Sequence, residues 1–294
     1  MTQPTLRFVN CLDATGLHRM AYWEWAGPSA DAPVLVCAHG LSRQGRDFDA
    51  LASAMSERYR VICPDVVGRG RSDWLRQPAG YQLPSYISDM VALLARLDVE
   101  QVDWVGTSMG GLIGLSLAAL PRPEGGVSPI RRLVLNDVGP AVRFDALQRI
   151  GSYLGKVQRF ASLDEGAAYL RTISAGFGPH TDEEWMALSA PLFLEEDGGG
   201  CKLRYDPAIA LPFSAVTPEL AAAGEALLWA AYDGLRCPTL LIRGADSDLL
   251  SAETARAMTQ RGPNARLVEL PGVGHAPTLV HGDQISIVRD FLSS

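Results

Sequence analysis

The sequence predicts an α/β chain: a mostly parallel central sheet with helices on both faces, interrupted by an inserted all-helical segment. Three observations lead there. Short apolar runs of strand length alternate with helical stripes through residues 33–136 and again after Cys237. Runs such as Pro33–Ala38 are apolar without interruption, as strands buried on both faces are. From about Pro140 to residue 232 that rhythm stops and helical stretches follow one another. Alternating strands and helices give a parallel sheet wrapped on both sides. The expected division is a core of residues 1–139 and 233–294, with an insertion at 140–232.

Taken in order, Leu6–Asn10 and Arg19–Ala26 are expected as antiparallel strands joined by a turn at Asp13–Gly16. The second alternates large apolar residues with others, the pattern of a strand with one buried face. Pro33–Ala38 ends at His39-Gly40-Leu41. A helix follows near Asp47–Arg58, with Phe48, Leu51, Ala52 and Met55 on one face. The strand Arg60–Asp65 runs into a glycine-punctuated loop through Ser72. Pro84 suits the first turn of a helix reaching Leu97, striped by Ile87, Met90, Val91, Leu94 and Leu97. Val102–Val105 and Ile130–Asn136 are strands flanking an apolar helix that ends near Leu120. In the insertion, helices are expected at 144–160, 163–175, 181–190 and 217–232, separated by Gly176–Pro179 and Gly198–Gly200. The strand Cys237–Gly244, helix Ala252–Arg261, strand Ala265–Leu270 and helix Gln284–Leu292 close the chain.

Composition excludes several classes. The 294 residues carry a net charge of −7, with no basic run, so no nucleic-acid partner is expected. Apolar Met109–Leu120 is too short to span a bilayer, so no membrane partner is expected either. The N-terminus lacks a basic patch followed by an apolar core, so no secretory signal is read. The five cysteines (Cys11, Cys37, Cys63, Cys201, Cys237) are odd in number and none sit two residues apart. They read as free thiols in a reducing compartment rather than disulfides or a zinc site, and a cytoplasmic location is expected. Gly68-Arg69-Gly70 lacks a following Lys-Ser/Thr and reads as a structural turn, not a phosphate loop.

The stretch Val105-Gly106-Thr107-Ser108-Met109-Gly110-Gly111 carries the chemistry. It lies between a strand and a helix, and glycines flank the serine where strand and helix leave no room for side chains. Such a turn lifts one hydroxyl clear of the backbone. A serine needs a base, most often histidine. Of His18, His39, His180, His275 and His281, His275 follows the last strand on a loop held by Gly274 and Pro277; His281 is the runner-up and reads as a helix-start surface residue. His39 reads as a loop brace. A carboxylate must orient the imidazole. Asp246 and Asp248 both follow the Cys237–Gly244 strand. Asp248 is preferred because Leu249 and Leu250 can anchor it against the core. Asp246 is the alternative, and Asp137, after the preceding strand, is a minor third candidate. Two backbone N–H groups would hold the oxyanion, those of Leu41 and Met109.

These pieces together resemble the α/β-hydrolase superfamily over nearly the whole chain. The carriers are His39-Gly40 after a buried strand, Asp65-x-x-Gly68-x-Gly70-x-Ser72, Gly106-x-Ser108-x-Gly110, an aspartate after the penultimate strand, and Gly274-His275. The order Ser108, Asp248, His275 is that family's order. The resemblance implies an esterase-like serine hydrolase whose residues 140–232 form a helical cap over the pocket. Many relatives place the acid three residues after the strand-ending glycine; here Ser247 stands there, between two aspartates. Other relatives carry a Ser-Asp pair with the aspartate as acid, which favours Asp248.

A serine nucleophile points to attack on an acyl carbon. The expected reaction is hydrolysis of a small-molecule carboxylic ester, lactone or thioester through an acyl-enzyme on Ser108, with no cofactor and no metal. The alternatives are carbon–carbon hydrolysis of a diketone-type substrate, cofactor-free haloperoxidation and, outside enzymes, a small-molecule receptor with residual hydrolase activity. Pocket walls are expected from among Phe144, Tyr153, Phe177, Trp185, Phe193, Tyr205, Phe213 and Trp229.

Overall fold

In the computed structural model, which describes residues 3–122 and 126–294, the chain opens with β1 (Thr5–Asp13) and β2 (Gly16–Trp25), an antiparallel hairpin. Then come β3 (Val34–Ala38), α1 (Asp49–Met55), β4 (Arg60–Asp65), α2 (Leu83–Leu97), β5 (Val102–Thr107), α3 (Met109–Ala118) and β6 (Ile130–Asn136). The inserted stretch contributes α4 (Phe144–Tyr153), β7 (Arg159–Phe160), α5 (Leu163–Ile173), α6 (Asp182–Ser189), β8 (Phe193–Glu195), β9 (Cys201–Leu203), α7 (Ala210–Ser214) and α8 (Pro218–Asp233). The core resumes with β10 (Thr239–Gly244), α9 (Ala252–Met258), β11 (Arg266–Leu270) and α10 (Gly282–Ser293). Eight strands form the main sheet in the order β1-β2-β4-β3-β5-β6-β10-β11. From β4 to β11 all pairs are parallel, while β1 and β2 add an antiparallel edge.

The uninterrupted apolar runs are explained by two cores, one on each face. Successive residues of β3 alternate between them. Val34, Val36 and Ala38 pack with Trp104, Met90 and Ile113 under α2 and α3. Leu35 and Cys37 pack with Val105, Leu51, Val288 and Phe291 under α1 and α10. With both faces covered, no β3 position can be polar. Each large side chain so buried contributes about 1.5–3 kcal/mol. The stripe on α2 faces the first core through Met90, Leu93, Leu94 and Leu97. That helix stops at Asp98, whose φ of 56° is left-handed.

The insertion departs from the expected all-helical segment. The helix expected over 144–160 ends at Tyr153, because Leu154 turns extended and Gly155 takes a φ of +77°. Arg159–Phe160 then joins β9 and β8 in a small antiparallel sheet. Gly198, Gly199 and Gly200 do not separate two helices. All three have positive φ, between +82° and +100°, and they turn the β8–β9 hairpin. The insertion is tied to the core by backbone: Gly70 N–H donates to the Arg204 carbonyl, Asp206 N–H to Gly68, and Gly274 N–H to Gly176.

Candidate active site

Ser108 sits between β5 and α3 with φ 53° and ψ −119°, a conformation that costs a non-glycine residue on the order of 1–3 kcal/mol. Its surroundings impose that conformation. A Cβ at Gly106 would collide with the Gly110 carbonyl, and one at Gly110 would collide with the Ala38 carbonyl of β3. The fully buried Trp104 donates its indole N–H to the Gly110 carbonyl at 3.0 Å, and Ser108 N–H donates to Asn136. The turn is thus clamped from the strand side, and the hydroxyl faces the open end of the sheet, where such folds bind ligands.

There it meets His275. The imidazole Nε2 lies 3.0 Å from Ser108 Oγ, and Nδ1 lies 2.8 Å from a carboxylate oxygen. That carboxylate belongs to Asp137, not to Asp248 or Asp246. Asp137 follows β6 directly, has φ 54°, and is fully buried. Its Oδ1 accepts the Gly244 N–H at 2.9 Å, and its Oδ2 accepts the Ser247 hydroxyl at 2.6 Å as well as the His275 N–H. A buried carboxylate is tolerable when donors converge on it in this way.

The preferred assignment of the acid to Asp248 is therefore corrected. Asp248 makes no hydrogen bond to His275 among the described residues and instead forms a bidentate ion pair with Arg149, at 2.6 and 3.1 Å. Asp246 is exposed. The loop after β10 alternates outward and inward, so that only Ser247, between the two aspartates, is buried and aimed at the histidine's partner.

The remaining histidines have structural explanations. His39 is buried; its Nδ1–H donates to the Gly40 carbonyl at 2.7 Å and its Nε2 accepts the Val66 N–H at 2.9 Å. Burial pushes its pKa down to about 3, so the ring stays neutral and braces the loop that carries Leu41. His281 begins α10 and lies 3.5 Å from Glu184. His18, on β2, contacts Asp89 of α2, and His180 lies 3.1 Å from the Gly178 carbonyl and 2.8 Å from the Thr278 hydroxyl.

Neither the Leu41 nor the Met109 backbone N–H has an acceptor among the described residues. Arg69, a residue that sequence reasoning did not single out, ties their loops together. It is fully buried and has no carboxylate partner among the described residues. It donates to the Leu41 carbonyl at 2.8 Å, to the Val67 carbonyl and to the Tyr86 hydroxyl, and reaches within 3.8 Å of Met109 Sδ. Gly68 and Gly70 on either side have positive φ, and a Cβ at Gly70 would collide with the Asp65 carboxylate. The Gly68–Ser72 loop is thus a packed turn that delivers a buried cation beside the Leu41 loop.

A pocket opens over Ser108 and His275. Its walls include Leu41 and Thr107 from the core and Ile150, Tyr153, Leu170, Phe177, Leu192 and Tyr205 from the insertion. Of the aromatic residues expected there, Tyr153, Phe177 and Tyr205 line it. Trp185 instead stacks on Phe177, and Phe193 lies in the core of the small sheet. Tyr169 also lines the pocket; it was missed because its helix shows only an ordinary amphipathic stripe.

A model of the alpha/beta hydrolase family matches residues 35–286, and the chain belongs to that family. It is a hydrolase. It is 55% identical over 293 residues to the 3-hydroxybutyrate-oligomer hydrolase of Cupriavidus necator, covering 99% of this chain and 98% of that one. It is 26% identical over 244 residues to the 2-(acetamidomethylene)succinate hydrolase of Mesorhizobium japonicum, covering 83% of this chain and 81% of that one. Among solved structures, an alpha/beta hydrolase from Novosphingobium aromaticivorans superposes with a TM-score of 0.85 at 34% identity, covering 100% of this chain and 99% of that one.

Proposed function

We propose that this chain is a serine hydrolase of carboxylic esters, and that its substrates are short oligoesters of a hydroxyacid such as 3-hydroxybutyrate. The observation that carries this reading is the unbroken hydrogen-bonded line from Ser108 through His275 to Asp137 at the floor of an apolar pocket. The likeness to the 3-hydroxybutyrate-oligomer hydrolase supports the substrate class.

In this mechanism Ser108 Oγ attacks the acyl carbon while His275 Nε2 takes its proton. Asp137 holds the Nδ1–H tautomer and stabilises the imidazolium. The Leu41 and Met109 N–H groups receive the developing oxyanion, and the buried Arg69 cation strengthens the local field. The tetrahedral intermediate collapses; the C–O bond to the alcohol breaks, and His275 passes its proton to the departing oxygen. Water then attacks the acyl-enzyme, giving its proton to the same histidine, and Ser108 leaves with that proton restored. Residues 140–232 act as the cap, excluding bulk water and selecting the substrate. Five buried, unbridged thiols are compatible with a cytoplasmic location, and no helix among the described residues is long and apolar enough to cross a membrane.

Ser108→Ala is expected to lower kcat for p-nitrophenyl butyrate and for the 3-hydroxybutyrate dimer by at least about 10⁴-fold. A fluorophosphonate should label wild type once, at Ser108, by intact mass. Retained hydrolysis in the alanine variant would reject the nucleophile.

A further inference from the structure

The pocket above Ser108 is not electrically neutral. Its charged lining residues are Arg43, Asp47 and Arg149. Arg43 is neutralised inside the pocket: its Nε and Nη2 donate to Asp47, itself a lining residue, at 2.7 and 2.8 Å, and Nη2 also reaches the Leu188 carbonyl. Arg149 is differently placed. It projects from α4, and its carboxylate partner, Asp248, comes from the loop after β10 and does not line the pocket.

Asp248 occupies the Nε–Nη2 edge of the guanidinium. The Nη1 group has no acceptor among the described residues. Tyr153, one helical turn further along α4, brings its hydroxyl beside the same guanidinium and lines the pocket too. Burial raises that hydroxyl's pKa and keeps it neutral and able to donate. Ile150, Leu170 and Ile173 add apolar side chains to the lining of the same pocket. A half-exposed guanidinium at the pocket wall, steadied by one carboxylate that does not line the pocket and with Nη1 left without an acceptor among the described residues, suits an anionic group.

We propose that Arg149, with the Tyr153 hydroxyl, is the subsite for the free terminal carboxylate of the substrate. This rests on the reading of Ser108 as an ester nucleophile and sharpens its substrate class. The preferred substrates are free-acid oligoesters of short hydroxyacids, measured from their acid end. Neutral esters and the interior of long polyesters lack the group that Arg149 holds. Asp248 then positions the anchor rather than the histidine.

The test compares the free-acid 3-hydroxybutyrate dimer with its methyl ester, using the full chain as wild type, Arg149→Gln and Arg149→Lys. Wild type is expected to favour the free acid by at least about tenfold in kcat/KM, and 0.5 M salt should shrink that preference. Arg149→Gln should bring the ratio near one, chiefly by raising KM for the acid about 10- to 100-fold. Arg149→Lys, which keeps the charge but not the fork, should fall between. Equal treatment of acid and methyl ester by wild type, or an undiminished preference in a folded Arg149→Gln, overturns the subsite. If wild type shows no preference yet cleaves both esters in a Ser108-dependent way, only the subsite fails. If wild type cleaves neither ester, the ester reading fails and the subsite with it.

Discussion

The loops after β6 and β10 end side by side at the same edge of the sheet, and each carries aspartate. Asn136 pairs with Ile242 across the two strands, and Asp137 N–H donates to the Ile242 carbonyl at 2.7 Å. Their carboxylates meet opposite fates. Asp137 is fully buried and receives donors from Gly244, Ser247 and His275. Asp248 is half-exposed and, among the described residues, receives only Arg149. The difference teaches that the histidine's partner is selected by inward direction and by the supply of donors. Position along the chain, after one strand or the next, is secondary. The loop after β10 even lends its serine and a backbone N–H to the rival acid.

The largest expected effect separates the two aspartates. Asp137→Asn should lower kcat for the 3-hydroxybutyrate dimer by about 10⁴-fold, because an amide favours the wrong imidazole tautomer. Asp248→Asn should cost less than about tenfold, felt in KM for the free acid through a loosened Arg149. Steady-state kinetics on both purified variants decide the matter. The opposite ranking would return the acid to the β10 loop.

What made the fold legible was burial. Strands covered on both faces read as unbroken apolar runs, and β3 through β6 and β10 stand out for that reason. Ser108 was legible because the crossing of β5 and α3 at Gly106 and Gly110 admits no Cβ, which writes itself into the sequence as Gly-x-Ser-x-Gly. His275 was legible from its glycine-flanked loop after the last strand. The acid was not, because Asp137, Asp246 and Asp248 all lie just past strands, and nothing local says which side chains turn inward. The small sheet was hidden because its strands are only two or three residues long, too short to show a two-residue period. Arg149 and Tyr169 looked like ordinary helix residues; their place in the pocket lining comes from what folds over Ser108, which is tertiary information.

If direction and donors decide the acid, the carboxylate should be transferable. Ser247 Oγ lies 2.6 Å from Asp137 Oδ2, so the two side chains meet at one point beneath His275. Asp137→Ser alone should be as damaged as Asp137→Asn. Adding Ser247→Asp should recover at least about tenfold in kcat, since an aspartate from the β10 side can then face Nδ1. A double variant no better than Asp137→Ser would show that only the β6 side offers the needed geometry.

The smallest effect concerns Ser247 in the intact site. Its hydroxyl donates to Asp137 and accepts the Leu249 and Leu250 N–H groups, at 3.3 and 3.1 Å. It therefore holds the acid and the loop at once, without touching the reacting atoms. Losing one hydrogen bond to a charged group costs about 1.5–3 kcal/mol where it is felt in full. Gly244 and His275 still hold the Asp137 carboxylate, so the loss in Ser247→Ala should be partial. We expect kcat to fall about tenfold with KM for p-nitrophenyl butyrate little changed, and Ser247→Thr to restore most of it. A purely structural role would predict a lower melting temperature with the kinetic constants intact. A fall in kcat without that loss of stability would place the effect on the orientation of Asp137, where the two loops meet.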